Sequence, residues 1–127
     1  MGRPAGSEVS VVRVYDDPGR GTREHRVLVD RLWPRGVKKE MLDFDEWNKN
    51  VAPSTDLRRW YGHDPGRFSE FDRRYRAELA EPPAAEEVAR LKRLAGGPGR
   101  LILLTATRDV KRSGAAVLQS VLERRSR

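Results

Sequence analysis

The stretch that most constrains this chain runs from Arg26 to Gly36 and reads R-V-L-V-D-R-L-W-P-R-G. It opens as a short run of aliphatic and β-branched residues, too short for a helix, and closes in a cluster of Asp, Arg, Trp, Pro and Gly. Alternation puts Val27, Val29 and Arg31 on one face and Leu28, Asp30 and Leu32 on the other, so both faces are apolar until charge enters near the carboxyl end. A strand with two apolar faces has to lie inside a sheet that is covered on both sides. In open α/β sheets the carboxyl ends of such strands are where ligands bind, so the stretch marks a core strand and a candidate site together.

A second run of the same kind, R-L-I-L-L-T-A from Arg100 to Ala106, ends in Thr105, Thr107, Arg108 and Asp109. The two runs are expected to be central, adjacent and parallel. A first strand is expected over Val9–Tyr15, followed by a Gly-Pro-rich turn from Asp16 to Glu24. From Lys38 to Val51 the apolar residues Met41, Leu42, Phe44, Trp47 and Val51 fit neither a helical stripe nor a strand, which predicts a short helix or an irregular wrap with Trp47 buried. Ser54 can cap a helix over T-D-L-R-R-W-Y. Asp64-Pro65 then opens an amphipathic helix bearing Phe68, Phe71, Tyr75 and Leu79. A further helix starts near Pro82-Pro83, buries Val88, Leu91 and Leu94, and stops at Gly96-Gly97. The last opens near Ser113, turns Val117, Leu118, Val121 and Leu122 inward, and ends on Arg124 and Arg125, which suit its carboxyl-terminal dipole. There is no internal repeat. Strands separated by helices predict a small single-domain three-layer Rossmann-like α/β sandwich with a mainly parallel sheet over residues 9–127, preceded by a disordered tail from Met1 to Glu8.

A chain of 127 residues can bury a core without staples. It has no cysteine, which excludes disulfides, thiolate catalysis and cysteine-ligated metals and suits a reducing cytoplasm. His25 and His63 are spaced like no familiar ligand pair, and no acidic loop suggests calcium, so neither a metal nor a cofactor is expected. No apolar run approaches the ~20 residues of a membrane span, and the first eight residues lack the apolar segment of a signal peptide. The expectation is a cytoplasmic protein with no membrane partner; its oligomeric state is left open. The net charge of +7 favours an anionic partner. Between Arg20 and Lys39 seven basic residues face only Glu24 and Asp30, whereas Arg67 to Glu81 holds four arginines and four acids, so the positive field is expected to centre on the organising strand.

Arg31, Arg35 and Arg58 are the candidate ligand-binding arginines. A guanidinium grips phosphate or carboxylate through two parallel hydrogen bonds, and Arg31 and Arg35 flank a Trp-Pro turn. The alternative is that they fasten the loop to Asp30, Asp43, Asp45 or Glu46. Trp33 can stack on a ring or close the core, and Ser54 can contact an anion or serve only as a cap. His63, in G-H-D-P, is a candidate general base, or it shapes the turn between two helices. Asp109, just past the second buried run, is a candidate acid or partner of the arginine cluster. Arg74 and Glu78, four apart, are expected to form a helix-surface salt bridge.

Five blocks carry a resemblance: V-R-V-Y-D, R-V-L-V-D-R-L-W-P-R-G, E-W-N-K-N-V-A-P-S-T-D-L-R-R-W-Y-G-H-D-P, F-x-x-R-Y-R-A-E-L, and L-I-L-L-T-A-T-R-D followed by A-A-V-L. Together, over Val9 to Leu122, the chain resembles the bacterial YeaO-like branch of the family called domain of unknown function 488. The resemblance brings no established activity with it. Relatives carry an Asn-His pair where this chain has Ser113-Gly114, and another branch carries a Cys-His-Arg element, so mechanisms built on those groups have no counterpart here.

Three functions are compatible with these residues. The leading one is a domain binding a phosphorylated or nucleotide-like small anion at the strand carboxyl ends, with or without catalysis; no Walker loop, G-x-G-x-x-G or nucleophile motif fixes a reaction. The second is a basic protein that binds nucleic acid weakly, with Trp33, Trp60 and Tyr61 as stacking candidates but no helix-turn-helix, RRM or zinc pattern. The third is a regulatory or scaffold module without catalysis. Convergence of Arg31, Arg35, Arg58 and Asp109 on one pocket would favour the first, and a flat basic face the second.

Overall fold

Both doubly apolar runs lie in the middle of one sheet. The structure, a computed structural model, describes residues 9–123. Its strands are β1 (Val9–Arg13), β2 (Glu24–Leu28), β3 (Glu46–Trp47) and β4 (Arg100–Thr105), in the spatial order β1-β4-β2-β3, with every pairing parallel. The register sets Glu24 against Arg100 and Leu28 against Leu104. Val29 extends the β2–β4 pairing by one bond, from its N–H to the Leu104 carbonyl. Val27, Leu28, Leu101, Leu103 and Leu104 are fully buried, as an interior position in a parallel sheet requires. The expected tail from Met1 to Glu8 and the expected pair Arg124 and Arg125 fall outside the described residues.

Four α-helices follow: α1 (Thr55–Tyr61), α2 (Phe68–Leu79), α3 (Ala84–Ala95) and α4 (Gly114–Glu123). Ser54 caps α1 by accepting the Leu57 N–H, and Gly62, in the left-handed region at φ 53°, ends it. Asp64 accepts from the Gly66 N–H in a short turn that leads into α2. Phe71, Tyr75 and Leu79 of α2 are buried at intervals of four, as their spacing predicts. On α3 the inward stripe is Ala84, Val88, Leu91 and Ala95, whereas Leu94 lies exposed; one turn of 3.6 residues carries position 94 past the edge of that face.

All four helices cover the same face of the sheet. Their apolar stripes pack with Val9, Val27, Val29, Leu101 and Leu103 in one core. The opposite face, carrying Leu28, Ile102 and Leu104, is covered by irregular chain: Trp33, Val37, Leu42, Phe44 and Trp47 pack there with Val14. The parallel α/β sheet matches the expectation, and its third layer is built from this segment instead of helices. Lys38 to Val51 is thus the irregular wrap, with short 3-10 turns and the two-residue edge strand β3. Trp47 is half-buried, not fully buried, because it sits on that edge strand with Lys49 over its ring, and its indole N–H donates to the Asp30 carbonyl at 2.7 Å.

One buried charge organises this side of the molecule. Arg26, on β2, is 1% exposed. Its guanidinium donates to Asp17 and to Glu24, and its Nε to the Asp43 carbonyl at 2.5 Å. Nearby, Arg20 bridges Asp43 and Asp45 at 2.7 and 3.1 Å. Two of the seven basic residues counted between Arg20 and Lys39 are therefore neutralised within the fold, and the positive field there is weaker than the sequence implies.

Candidate functional site

At the carboxyl ends of β2 and β4 the chain leaves a cleft of about 520 Å³, the size range of small-molecule sites. The loop after β2 supplies Asp30 to Arg35, α1 supplies Arg58 and Tyr61, and the segment after β4 supplies Ala106 to Asp109. Parallel strands end together, which is why residues distant in sequence meet here.

Arg31, Trp33, Arg35, Arg58, His63 and Asp109 all line this cleft. Ser54 does not. Its hydroxyl accepts the Leu57 N–H at 3.1 Å and donates to Glu78 Oε2 at 2.6 Å, while Glu78 Oε1 accepts the Ser54 N–H. Ser54 is therefore a helix cap fastened to α2. The same bonds correct the expected Arg74–Glu78 pair: Arg74 instead reaches back to Glu70 at 2.7 Å and lies over the Trp60 ring.

The arginines differ from one another. Arg31 donates from Nε to the Pro53 carbonyl at 2.9 Å and from Nη2 to the Lys49 and Ala52 carbonyls at 3.4 Å. It fastens the loop through backbone carbonyls, not through the carboxylates anticipated. Asp43 and Asp45 are held by Arg20, and Glu46 by Arg90 and His25. Arg35 is exposed; its carbonyl accepts the Tyr15 hydroxyl at 2.7 Å, which fixes its backbone. Arg58 is half-buried, and its Nε is shielded from solvent with no hydrogen-bond partner among the described residues. Leaving a buried donor unsatisfied costs about 1–3 kcal/mol.

Trp33 is a wall of the core. Its ring meets Phe44 and Trp47 edge-on, with centroids 5.5 and 5.4 Å away, and its N–H donates to the Val37 carbonyl at 2.6 Å. His63 is exposed and left-handed at φ 58°, just past the glycine that ends α1. Asp109 is exposed and bridged to Arg112 at 3.0 Å.

Sequence reasoning singled out Asp30 only as a counter-ion, yet no arginine among the described residues holds it. Oδ1 accepts from the Thr105 hydroxyl and Oδ2 from the Ala106 N–H, each at 2.7 Å. Burial pushes this carboxyl above its ordinary range, against the pull of Ala106, Thr105 and the nearby His63. Arg108 and Tyr15 also line the cleft and were missed as site residues, and Tyr61, expected only as a stacking candidate for nucleic acid, lines it too. Arg108 carried a signal, since it stands in the polar cluster ending the second buried run. Beneath the cleft, Tyr61 stacks on Phe71 with centroids 4.1 Å apart, and its hydroxyl donates to the Arg112 carbonyl. Ser113 is buried; its hydroxyl donates to the Val110 carbonyl and accepts the Ala116 N–H, capping α4. At Gly114 a Cβ would come within 3.2 Å of Pro53 and 3.5 Å of Tyr75, so glycine lets α4 start close against the cleft floor.

Fold and site together define a small α/β protein with a parallel sheet and an arginine-lined cleft at its strand carboxyl ends. The chain belongs to the DUF488 family: the profile described as the inactive DUF488-N3 subclade matches residues 8–127. It is 46% identical over 123 residues to an uncharacterised protein of Mycobacterium tuberculosis and to one of Mycobacterium bovis, covering 94% of this chain and 97% of each relative. It is also 48% identical over 69 residues to the uncharacterised protein YeaO of Escherichia coli, covering 54% of this chain and 59% of that protein. No solved structure matches the chain. Among the described residues no helix is long and apolar enough to cross a membrane.

Proposed function

We propose that the chain binds a small phosphorylated or nucleotide-like anion in the cleft at the carboxyl ends of β2 and β4, without a covalent catalytic step. The observation that carries this reading is Arg58, a guanidinium on the wall of a 520 Å³ cleft whose buried Nε has no partner among the described residues. A charged acceptor held by the same guanidinium would offset the penalty of leaving that donor bare. Arg31, Arg35 and Arg108 line the same cleft against two carboxylates, and Asp30 and Asp109 are already engaged by Thr105, Ala106 and Arg112.

Two features support binding over catalysis. The subclade is described as inactive. The cleft hydroxyls of Ser113, Tyr61 and Tyr15 all donate to backbone carbonyls, and that of Thr107 pairs with the Thr105 hydroxyl. His63 and Asp109 remain as proton carriers only if a reaction exists.

Thermal unfolding of wild type and Arg58→Lys, each with and without phosphate and a nucleotide panel, tests the reading. Lysine keeps the charge and loses the fork, so wild type should be stabilised by an anion and the variant much less so. Absence of any anion-dependent shift in wild type would overturn it.

A further inference from the structure

We infer that the ligand is a ring-bodied acid with a single anionic head. The inference rests on the anion-binding reading above and narrows it. A bare phosphate would use the guanidinium of Arg58 and leave most of a 520 Å³ cleft unfilled. Much of the remaining lining is apolar and aromatic, with Leu32, Pro34, Pro53 and Tyr61 coming from three different segments.

Parts of that lining are packed in place by other rings. Trp33 is wedged edge-on between Phe44 and Trp47, and Tyr61 lies flat on Phe71, so the walls lose little freedom on meeting a planar body. Leu32, at the rim, is 59% exposed, so a ring laid against it would remove apolar surface from water. Charge limits the head. Arg31 already gives its donors to three backbone carbonyls, so the four arginines of the lining leave fewer guanidinium forks for an anion than their number suggests, and a polyphosphate would outrun them. One phosphate or one carboxylate on a ring fits both the apolar walls and the charge.

Isothermal titration of the full chain with phenyl phosphate, benzoate, inorganic phosphate, acetate, benzyl alcohol and adenosine triphosphate decides it. At least one ring acid should bind about tenfold or more tighter than both inorganic phosphate and acetate, with benzyl alcohol and the triphosphate weaker than that acid. Leu32→Asn, at an exposed position that leaves the core intact, should reduce this ring preference severalfold while inorganic phosphate binding stays the same. If inorganic phosphate or the triphosphate binds as tightly as the ring acids, the ligand class is wrong and the anion site stands. If no anion binds at all, the anion-binding reading falls with it.

Discussion

The Asp30 carboxylate accepts the Thr105 hydroxyl at 2.7 Å across the ends of the two central strands. Its other oxygen takes the Ala106 N–H, so a side chain continues the strand pairing where the backbone ladder stops. Asp30→Ala should destabilise by about 1–3 kcal/mol, because it strands two donors. Asp30→Asn can satisfy both, since its amide oxygen accepts the N–H and its NH₂ donates to the hydroxyl. The sign of the pH effect follows from the raised carboxyl. The native state holds the proton more readily than the unfolded chain, so the cost of charging Asp30 is present in full above its folded pKa and vanishes as pH falls below the unfolded one. Asp30→Asn should therefore gain on wild type at pH 7 relative to about pH 4. Denaturant titrations at the two pH values check this, and an equal difference at both would contradict it.

Arg26 gives the opposite slope. Burial raises the Glu24 carboxyl, and the Gly21 N–H and Arg26 together outweigh that, so its net pKa lies below the ordinary value. Stability from this group is present above the unfolded pKa and is lost as pH falls through the folded one. Arg26→Met leaves Asp17 and Glu24 unpaired at nearly buried positions and should cost about 3–5 kcal/mol at neutral pH. The deficit should shrink on acidification. Urea unfolding across pH measures both.

Leu103 is fully buried in β4 between two neighbouring strands. Leu103→Ala should destabilise by about 2–5 kcal/mol through the cavity it leaves. A loss below about 1 kcal/mol in the same titration would be incompatible with this position.

Arg31 and Arg35 should behave differently under one substitution. Arg31→Lys loses the fork that holds the Pro53, Lys49 and Ala52 carbonyls and should destabilise by about 1–3 kcal/mol with or without phosphate. Arg35→Lys, at an exposed side chain, should leave the melting temperature unchanged and weaken only anion-dependent stabilisation. Differential scanning fluorimetry on the two variants separates a fastening arginine from a ligand-facing one.

The central strands were legible because a run such as V-L-V or L-I-L-L can be buried on both faces only inside a sheet. The helices were legible from Ser54, Asp64-Pro65 and the Phe71, Tyr75, Leu79 stripe. Arg26 was not, because an arginine in a strand reads as solvent charge unless its partners are known, and Asp17 came from a turn with no periodicity. β3 was invisible for a simpler reason: two residues carry no alternation. At the cleft, proximity of Arg31, Arg35, Arg58 and Asp109 followed from strand ends lying side by side. The division of labour among them did not, since it depends on which backbone carbonyls happen to lie near Arg31.

The segment from Trp33 to Trp47 walls the cleft at one end and roofs a sheet face along the rest. It is tied down at the Arg35 carbonyl by Tyr15, at Asp43 by Arg20 and Arg26, and at Trp47 by its bond to the Asp30 carbonyl. Surface connections ordinarily tolerate insertion and deletion. With ties at both ends and a ring cluster between them, adding or removing one residue here would pull Trp33 out of its place. A stretch that looks like a loop thus has the fixed length of a core element.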